Sequence, residues 1–161
     1  HEQYGAPTPE TDNVILLFHA LSGSHHAYGY NTEVPGTGSL WKPENHEGWW
    51  NSIIGPGKPL DTDRFCIICA NYLGGCYGTT GPASPSPADG LPYGSRFPHV
   101  EAADQARLQA LLLDSLGIER IHLAGPSVGG LIALSFACQF PERVRSFISI
   151  GSGYRASIEH R

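Results

Sequence analysis

Residues 100 to 150 change hydrophobic period three times, and that order of periods leaves few folds open. Over Val100 to Leu116, Ala103, Ala106, Ala110, Leu113 and Leu116 recur at intervals of three or four, with Leu111 and Leu112 broadening the stripe, which predicts a helix ended by Gly117. Ile121-His122-Leu123-Ala124-Gly125 then reads as a strand, Val128 to Phe140 as a second helix closed by Pro141, and Val144 to Ile150 as a further strand. Upstream, Val14-Ile15-Leu16-Leu17-Phe18-His19 and Phe65 to Ala70 are unbroken apolar runs, the pattern of strands covered on both faces. Strands alternating with helices imply parallel pairing through crossover connections, hence an α/β fold. Val14 to Phe18 and Ile121 to Ala124 are expected side by side. The opening His1-Glu2-Gln3-Tyr4-Gly5 looks like the end of another strand.

Two stretches lack a period. Ser24 to Lys58 is rich in Gly, His, Asn, Trp and Pro, and predicts a long ordered loop with one short helix around Trp49 to Ile53. Leu73 to Phe97 carries Gly-Gly, Gly-Pro, Ser-Pro and Asp-Gly pairs, and a loop of that length in a compact domain points to function.

The chemistry lies between the third apolar strand and its helix, at Gly125-Pro126-Ser127-Val128-Gly129-Gly130. This contains G-x-S-x-G in the strand-to-helix setting where the motif acts as a nucleophile elbow. A strained turn lifts the Ser127 hydroxyl clear of the sheet, and the glycines leave room where side chains would collide. The turn also sets Ser127 at a helix N-terminus, so that the Val128 N–H and the helix dipole face an oxyanion forming at an attacked carbonyl. The bland alternative is a loop serine that only caps the helix. Against it stands an earlier strand ending in His19-Ala20-Leu21-Ser22-Gly23, where hydrolase-fold enzymes place the second oxyanion donor; Leu21 N–H is the expected donor.

Composition excludes several partners. A formal net charge of -5 with ten scattered Lys and Arg offers no basic surface for nucleic acid. No apolar run nears the roughly 20 residues that span a bilayer, so no membrane partner is expected. Cys66 and Cys69 have zinc-knuckle spacing, but on a strand residues three apart point to opposite faces and cannot share a metal. Unpaired structural thiols suit a reducing compartment, and a cytoplasmic location is expected. The chain starts at His1 and contains no Met, so a fragment of something longer is expected.

The residues then take on a family likeness. His19-Ala20-Leu21-Ser22-Gly23, Gly48-Trp49-Trp50, Gly55 to Thr62, Asn71-Tyr72-Leu73-Gly74-Gly75-Cys76-Tyr77-Gly78-Thr79-Thr80-Gly81-Pro82, Pro92-Tyr93-Gly94, the Asp104 helix, the Ser127 elbow and Arg143-Val144-Arg145-Ser146 together resemble the homoserine O-acetyltransferase family, over nearly the whole chain. The resemblance implies an α/β-hydrolase fold, a mostly parallel sheet with helices on both faces. It implies that residues 1–161 are the N-terminal part of a single such domain, incomplete, with the lid and C-terminal part absent. It implies transfer of an acetyl group from acetyl-CoA, or another acyl-CoA, through acyl-Ser127 to the hydroxyl of L-homoserine in methionine biosynthesis, with no tightly bound cofactor, no metal and a homodimer at full length. One departure is that family members commonly carry Gly-Gly-Ser-Met-Gly-Gly at the elbow, where this chain has Pro126 and Val128. Pro126 is not an oxyanion donor, so nucleophile function stands. Succinyl transfer, serine as acceptor and ester hydrolysis remain alternatives on the same scaffold.

A hydrolase-type triad runs serine, acid, histidine along the chain. After Ser127 only Glu142, Glu159 and His160 qualify, and none is assigned; the acid and base are expected beyond Arg161, and the isolated fragment is expected to be inactive. His19 reads as a hydrogen-bonded scaffold residue. His25 and His26 lack a nearby acidic or Cys cluster, Trp49 and Trp50 read as loop anchors, and Arg96 and Lys58 as solvated surface.

Overall fold

Val14–Leu17 (β2) is buried at every position, as an apolar run must be when both its faces are covered. In the computed structural model, which describes residues 1–153, this strand lies at the centre of a five-stranded sheet. Cys66–Cys69 (β3) pairs parallel to it on one side and Ile121–Pro126 (β4) on the other, with Leu17 opposite Ala124. Val144–Ile150 (β5) continues the parallel pairing beyond β4. Glu2–Tyr4 (β1) closes the far edge antiparallel to β3, so the order is β1-β3-β2-β4-β5. The expected neighbours, Val14 to Phe18 and Ile121 to Ala124, are indeed adjacent.

Alternation along the strands divides the interior in two. Val14, Leu16, Phe18, Cys66, Ile68, Ile121 and Leu123 face Ala102–Ser115 (α1) and Val128–Gln139 (α2), which pack side by side. From α1 come Ala106, Ala110 and Leu113, and from α2 Ile132, Ala133 and Phe136, the last with its ring 6.4 Å from that of Phe18. Gly117, at φ 69, takes the left-handed conformation that ends α1. Ile15, Leu17, Ile67, Cys69 and Ala124 face the other way, and their cover is loop: Ala27, Trp49, Trp50, Ile54 and Leu60. The expectation of helices on both faces is thus met on one face within the described residues. The long loop takes the second face because its aromatic and aliphatic residues bury there. Around Trp49 to Ile53 the expected helix is a single hydrogen-bonded turn, with Ile53 and Ile54 N–H both reaching Trp50 O.

Cys66 and Cys69 belong to opposite cores, as strand geometry requires. On β5, Ser146, Ile148 and Ile150 are exposed, and no described strand pairs with its outer edge. No helix among the described residues is long and apolar enough to cross a membrane.

Candidate active site

Parallel strands end together, and the residues just past the ends of β2, β3 and β4 share one rim of the sheet. At the end of β4 the backbone turns through Ser127, at φ 53 and ψ -125, directly into α2. A serine held at positive φ outside the ordinary regions stores about 1–3 kcal/mol of strain, which the surroundings must over-determine. They do so by close contact. A Cβ on Gly125 would lie 2.5 Å from the Gly129 carbonyl, one on Gly129 2.3 Å from Phe18 O and 2.7 Å from His19 O, and one on Gly130 2.7 Å from Ser149 Oγ. The Ser127 N–H is tied to Ile150 O at 2.9 Å. The side chain is left exposed, while Ser127 O accepts the Gly130 N–H at 3.0 Å in the first turn of α2.

The neighbouring strand supplies the other half. Phe18 N–H donates to Ala124 O at 2.9 Å, one step past the formal end of β2, and a tight turn closed by Gly23 N–H to Ala20 O, also 2.9 Å, follows. Leu21 sits in that turn at 83% exposure. Among the described residues neither the Leu21 N–H nor the Val128 N–H has a protein acceptor. Ser127 and Val128 thus follow the end of β4, and Leu21 follows the end of the neighbouring β2, each of the two backbone N–H groups without an acceptor among the described residues.

His19 is the hinge between strand and turn. It is 4% exposed, its Nδ1 lies 2.7 Å from Ala20 O, and its Nε2 has no partner among the described residues. Burial pulls its pKa down to about 4, so the ring is neutral, Nδ1 donating to the Ala20 carbonyl. That is the scaffold role expected for it. Tyr72, just past β3, stacks on the His19 ring at 3.9 Å between centroids and donates its hydroxyl to His19 O at 2.7 Å. Burial pushes the phenol far above its usual range, so it stays protonated. Beside these residues lies a cleft of ≈ 300 Å³, lined by His19, Leu21, Asn71, Tyr72, Cys76 and Tyr77 among others.

His25 and His26 are buried around a single carboxylate. The Glu2 carboxylate on β1 lies 2.8 Å from His26 Nδ1 and 3.6 Å from His25 Nε2, and Tyr4 OH donates to it at 2.5 Å. Asn71 accepts the His25 N–H at 2.9 Å and lies 2.8 Å from its ring. The cluster ties β1, the 24–31 loop and the end of β3 together. No group of three or more His, Cys, Asp or Glu among the described residues could hold a metal. Trp49 Nε1 donates to Ser24 O at 2.9 Å, a loop anchor as expected. Arg96 pairs with Asp89 at 2.7 Å, and Lys58 donates to Asn51 O with its ammonium 5.4 Å from the Tyr28 ring centre. Glu142 is exposed just before β5, whose first residue pairs with Ile121, at the opposite end of the sheet from Ser127. Glu159 and His160 lie outside the described residues.

Sequence reasoning missed Tyr72 and Gln105 as parts of this arrangement. Gln105 is buried on α1 and pairs twice with the Leu73 backbone, accepting its N–H and donating to its carbonyl, both at 2.9 Å. Two signals were available. Asn71 and Tyr72 directly follow a parallel strand, where polar residues meet ligands or the loops that hold them. Gln105 and Gln109 share the helix face of Leu113, and a polar group on an apolar stripe needs a hydrogen-bonding partner there.

Comparison with known proteins supplies an independent reading. A family profile described as "alpha/beta hydrolase fold" matches residues 13–160. The homoserine O-succinyltransferase of Halorhodospira halophila is 47% identical over 161 residues, 99% of this chain and 40% of its own length. The crystal structure of homoserine O-acetyltransferase from Bacillus anthracis superposes with a TM-score of 0.83 at 34% identity, covering 97% of this chain and 41% of that one. Esterase E22 superposes with a TM-score of 0.83 at 37% identity, covering 98% and 42%. The chain thus spans about 40% of the length of the curated relatives it matches.

Proposed function

The chain belongs to the alpha/beta hydrolase fold family, and from that premise we propose that it carries the nucleophile of an acyl-CoA-dependent O-acyltransferase acting on L-homoserine. The single observation that carries the proposal is Ser127: an exposed serine forced to φ 53 at the mouth of α2, on the rim that also bears the unspent N–H groups of Leu21 and Val128. A serine that only caps a helix needs no such strain.

In the proposed reaction Ser127 Oγ attacks the thioester carbonyl of an acyl-CoA and gives up its proton to a histidine base. That base and its acid are expected beyond Arg161. The carbonyl oxygen becomes an oxyanion facing Leu21 N–H and Val128 N–H, a pair of preorganised donors of the kind worth about 10²–10³ in rate each. The C–S bond breaks, CoA leaves as its thiol after taking up a proton, and Ser127 holds the acyl group as an ester. The homoserine hydroxyl then attacks that ester, its proton passing to the same base, and the O-acyl product departs with Ser127 restored. Acetyl-CoA is the proposed donor. Succinyl-CoA is the alternative, supported by the 47% identical succinyltransferase, and serine is the alternative acceptor. A homodimer and a cytoplasmic location belong to the same proposal.

A second reading, ester hydrolysis through the same elbow, draws support from the esterase E22 superposition. The two part at the acyl-enzyme. Full-length protein incubated with acetyl-CoA should release CoA much faster when L-homoserine is added, and O-acetylhomoserine should account for the difference. Release that is indifferent to homoserine, with free acetate as the only product, would favour the hydrolase.

A further inference from the structure

We propose that Tyr72 is a positioning residue for acylation of Ser127, its hydroxyl holding the His19 carbonyl so that the turn beyond presents the Leu21 N–H to the oxyanion. The inference rests on the acyl-serine reading above and adds to it a residue that acts through the backbone of the Leu21 turn.

The His19 carbonyl has two neighbours that fix it. From one side Tyr72 OH donates to it at 2.7 Å; from the other, Gly129 of α2 approaches so closely that a Cβ there would stand 2.7 Å from the same oxygen. The His19–Ala20 peptide is therefore held between the end of β3 and the first turn of the elbow helix. One residue on, the Ala20 carbonyl accepts from the His19 ring at 2.7 Å and from Gly23 N–H at 2.9 Å. Each peptide plane leading to Leu21 is thereby tied, and its free N–H has its direction set by bonds that none of its own atoms makes.

Tyr72 is in turn fixed from α1. Gln105 pairs with both backbone groups of Leu73 at 2.9 Å, as a neighbouring strand would, and so pins the residue that follows Tyr72. The Tyr72 ring stacks 3.9 Å from the His19 imidazole at 24° between planes, leaving the hydroxyl one approach. A path of direct contacts thus runs from Gln105 through Leu73, Tyr72, His19 and Ala20 to Leu21.

The test uses the full-length enzyme and p-nitrophenyl acetate in single turnover, where release of p-nitrophenolate reads acylation of Ser127 with neither CoA nor acceptor present. Tyr72→Phe keeps the stacked ring and removes only the hydroxyl. Acylation should slow about tenfold to a hundredfold, less than loss of an oxyanion donor outright, with apparent KM and thermal midpoint little changed. Gln105→Met should slow the same step by a smaller factor, and the double variant should fall short of the product of the two, because both act through one path. Wild-type acylation in Tyr72→Phe, or a change in KM alone, overturns the proposal while leaving the acyl-serine reading intact. A wild-type enzyme that forms no adduct on Ser127 overturns both. Should Tyr72→Phe not fold, Gln105→Met decides alone, and unaltered acylation there overturns the positioning role.

Discussion

A Cβ added to Gly129 would fall 2.3 Å from the carbonyl oxygen of Phe18, so the elbow helix and the central strand touch backbone to backbone. That contact sets the spacing between the nucleophile and the Leu21 turn. Gly129→Ala must drive the two apart or strain both. Overpacking of this kind costs about 1–3 kcal/mol, and the full-length variant is expected to lose that much in chemical denaturation together with most of its acyl transfer. A variant as stable and active as wild type would show that the elbow has slack.

Ser127 combines two roles that substitution can separate. Ser127→Ala should abolish transfer, a loss on the order of a millionfold for a nucleophile acting with its triad, with little change in stability. Ser127→Gly should be equally inactive yet more stable by about 1 kcal/mol, because glycine adopts φ 53 without the clash a Cβ suffers. Thermal and urea unfolding of the three proteins side by side checks the order Gly above Ser and Ala.

Legibility in the sequence followed the range of the signal. Val14–Leu17, Cys66–Cys69, Ile121–Pro126 and α2 were readable because an apolar run or a helical stripe is written in neighbouring residues, and the Ser127 elbow because its glycines sit two positions either side. What escaped depends on partners far along the chain. Glu2 meets His26 across 24 residues, Tyr72 meets His19 across 53, and Gln105 meets Leu73 across 32. No local pattern marks such pairs before the sheet is assembled. The layer opposite the helices escaped for a related reason: Trp49, Trp50 and Ile54 carry no period, and their burial comes from the apolar face they cover.

The Glu2–His26 contact predicts a pH window. Burial works against the charge on Glu2, but hydrogen bonds from His26 and Tyr4 and the nearby imidazoles outweigh it and hold the carboxyl below its ordinary 4.5. Burial likewise lowers His26, and the hydrogen bond and charge of Glu2 overcome it, holding the ring above 6.5. The raised histidine gives stability that is complete below 6.5 and lost as pH rises through its folded value; the lowered carboxyl gives stability that is complete above 4.5 and lost as pH falls through its own. The excess stability of wild type over Glu2→Gln should therefore peak between these values and shrink toward pH 8. A difference that keeps growing up to pH 8 would contradict the pairing.

Thiol chemistry should divide the cysteines by burial. Cys76 and Cys138 are exposed, whereas Cys66 and Cys69 are wholly enclosed in separate cores and burial pushes both thiols up. Brief alkylation of native protein followed by peptide mapping should label Cys76 and Cys138 and spare Cys66 and Cys69 until the protein is unfolded. Chelators should leave stability unchanged. Rapid labelling of Cys69 would mean that the loop layer over it opens readily.

The two margins of the sheet have different fates in a test tube. One margin is β1, only three residues long and with Glu2 engaged in the histidine cluster, a short edge that resists further pairing. Beyond β5 the backbone groups are open among the described residues, and Ile148 and Ile150 stand exposed next to them. An uncovered strand margin with apolar side chains is a template for other chains. Exchange of Ile148 and Ile150 for lysine should therefore reduce self-association of this polypeptide, as read by light scattering.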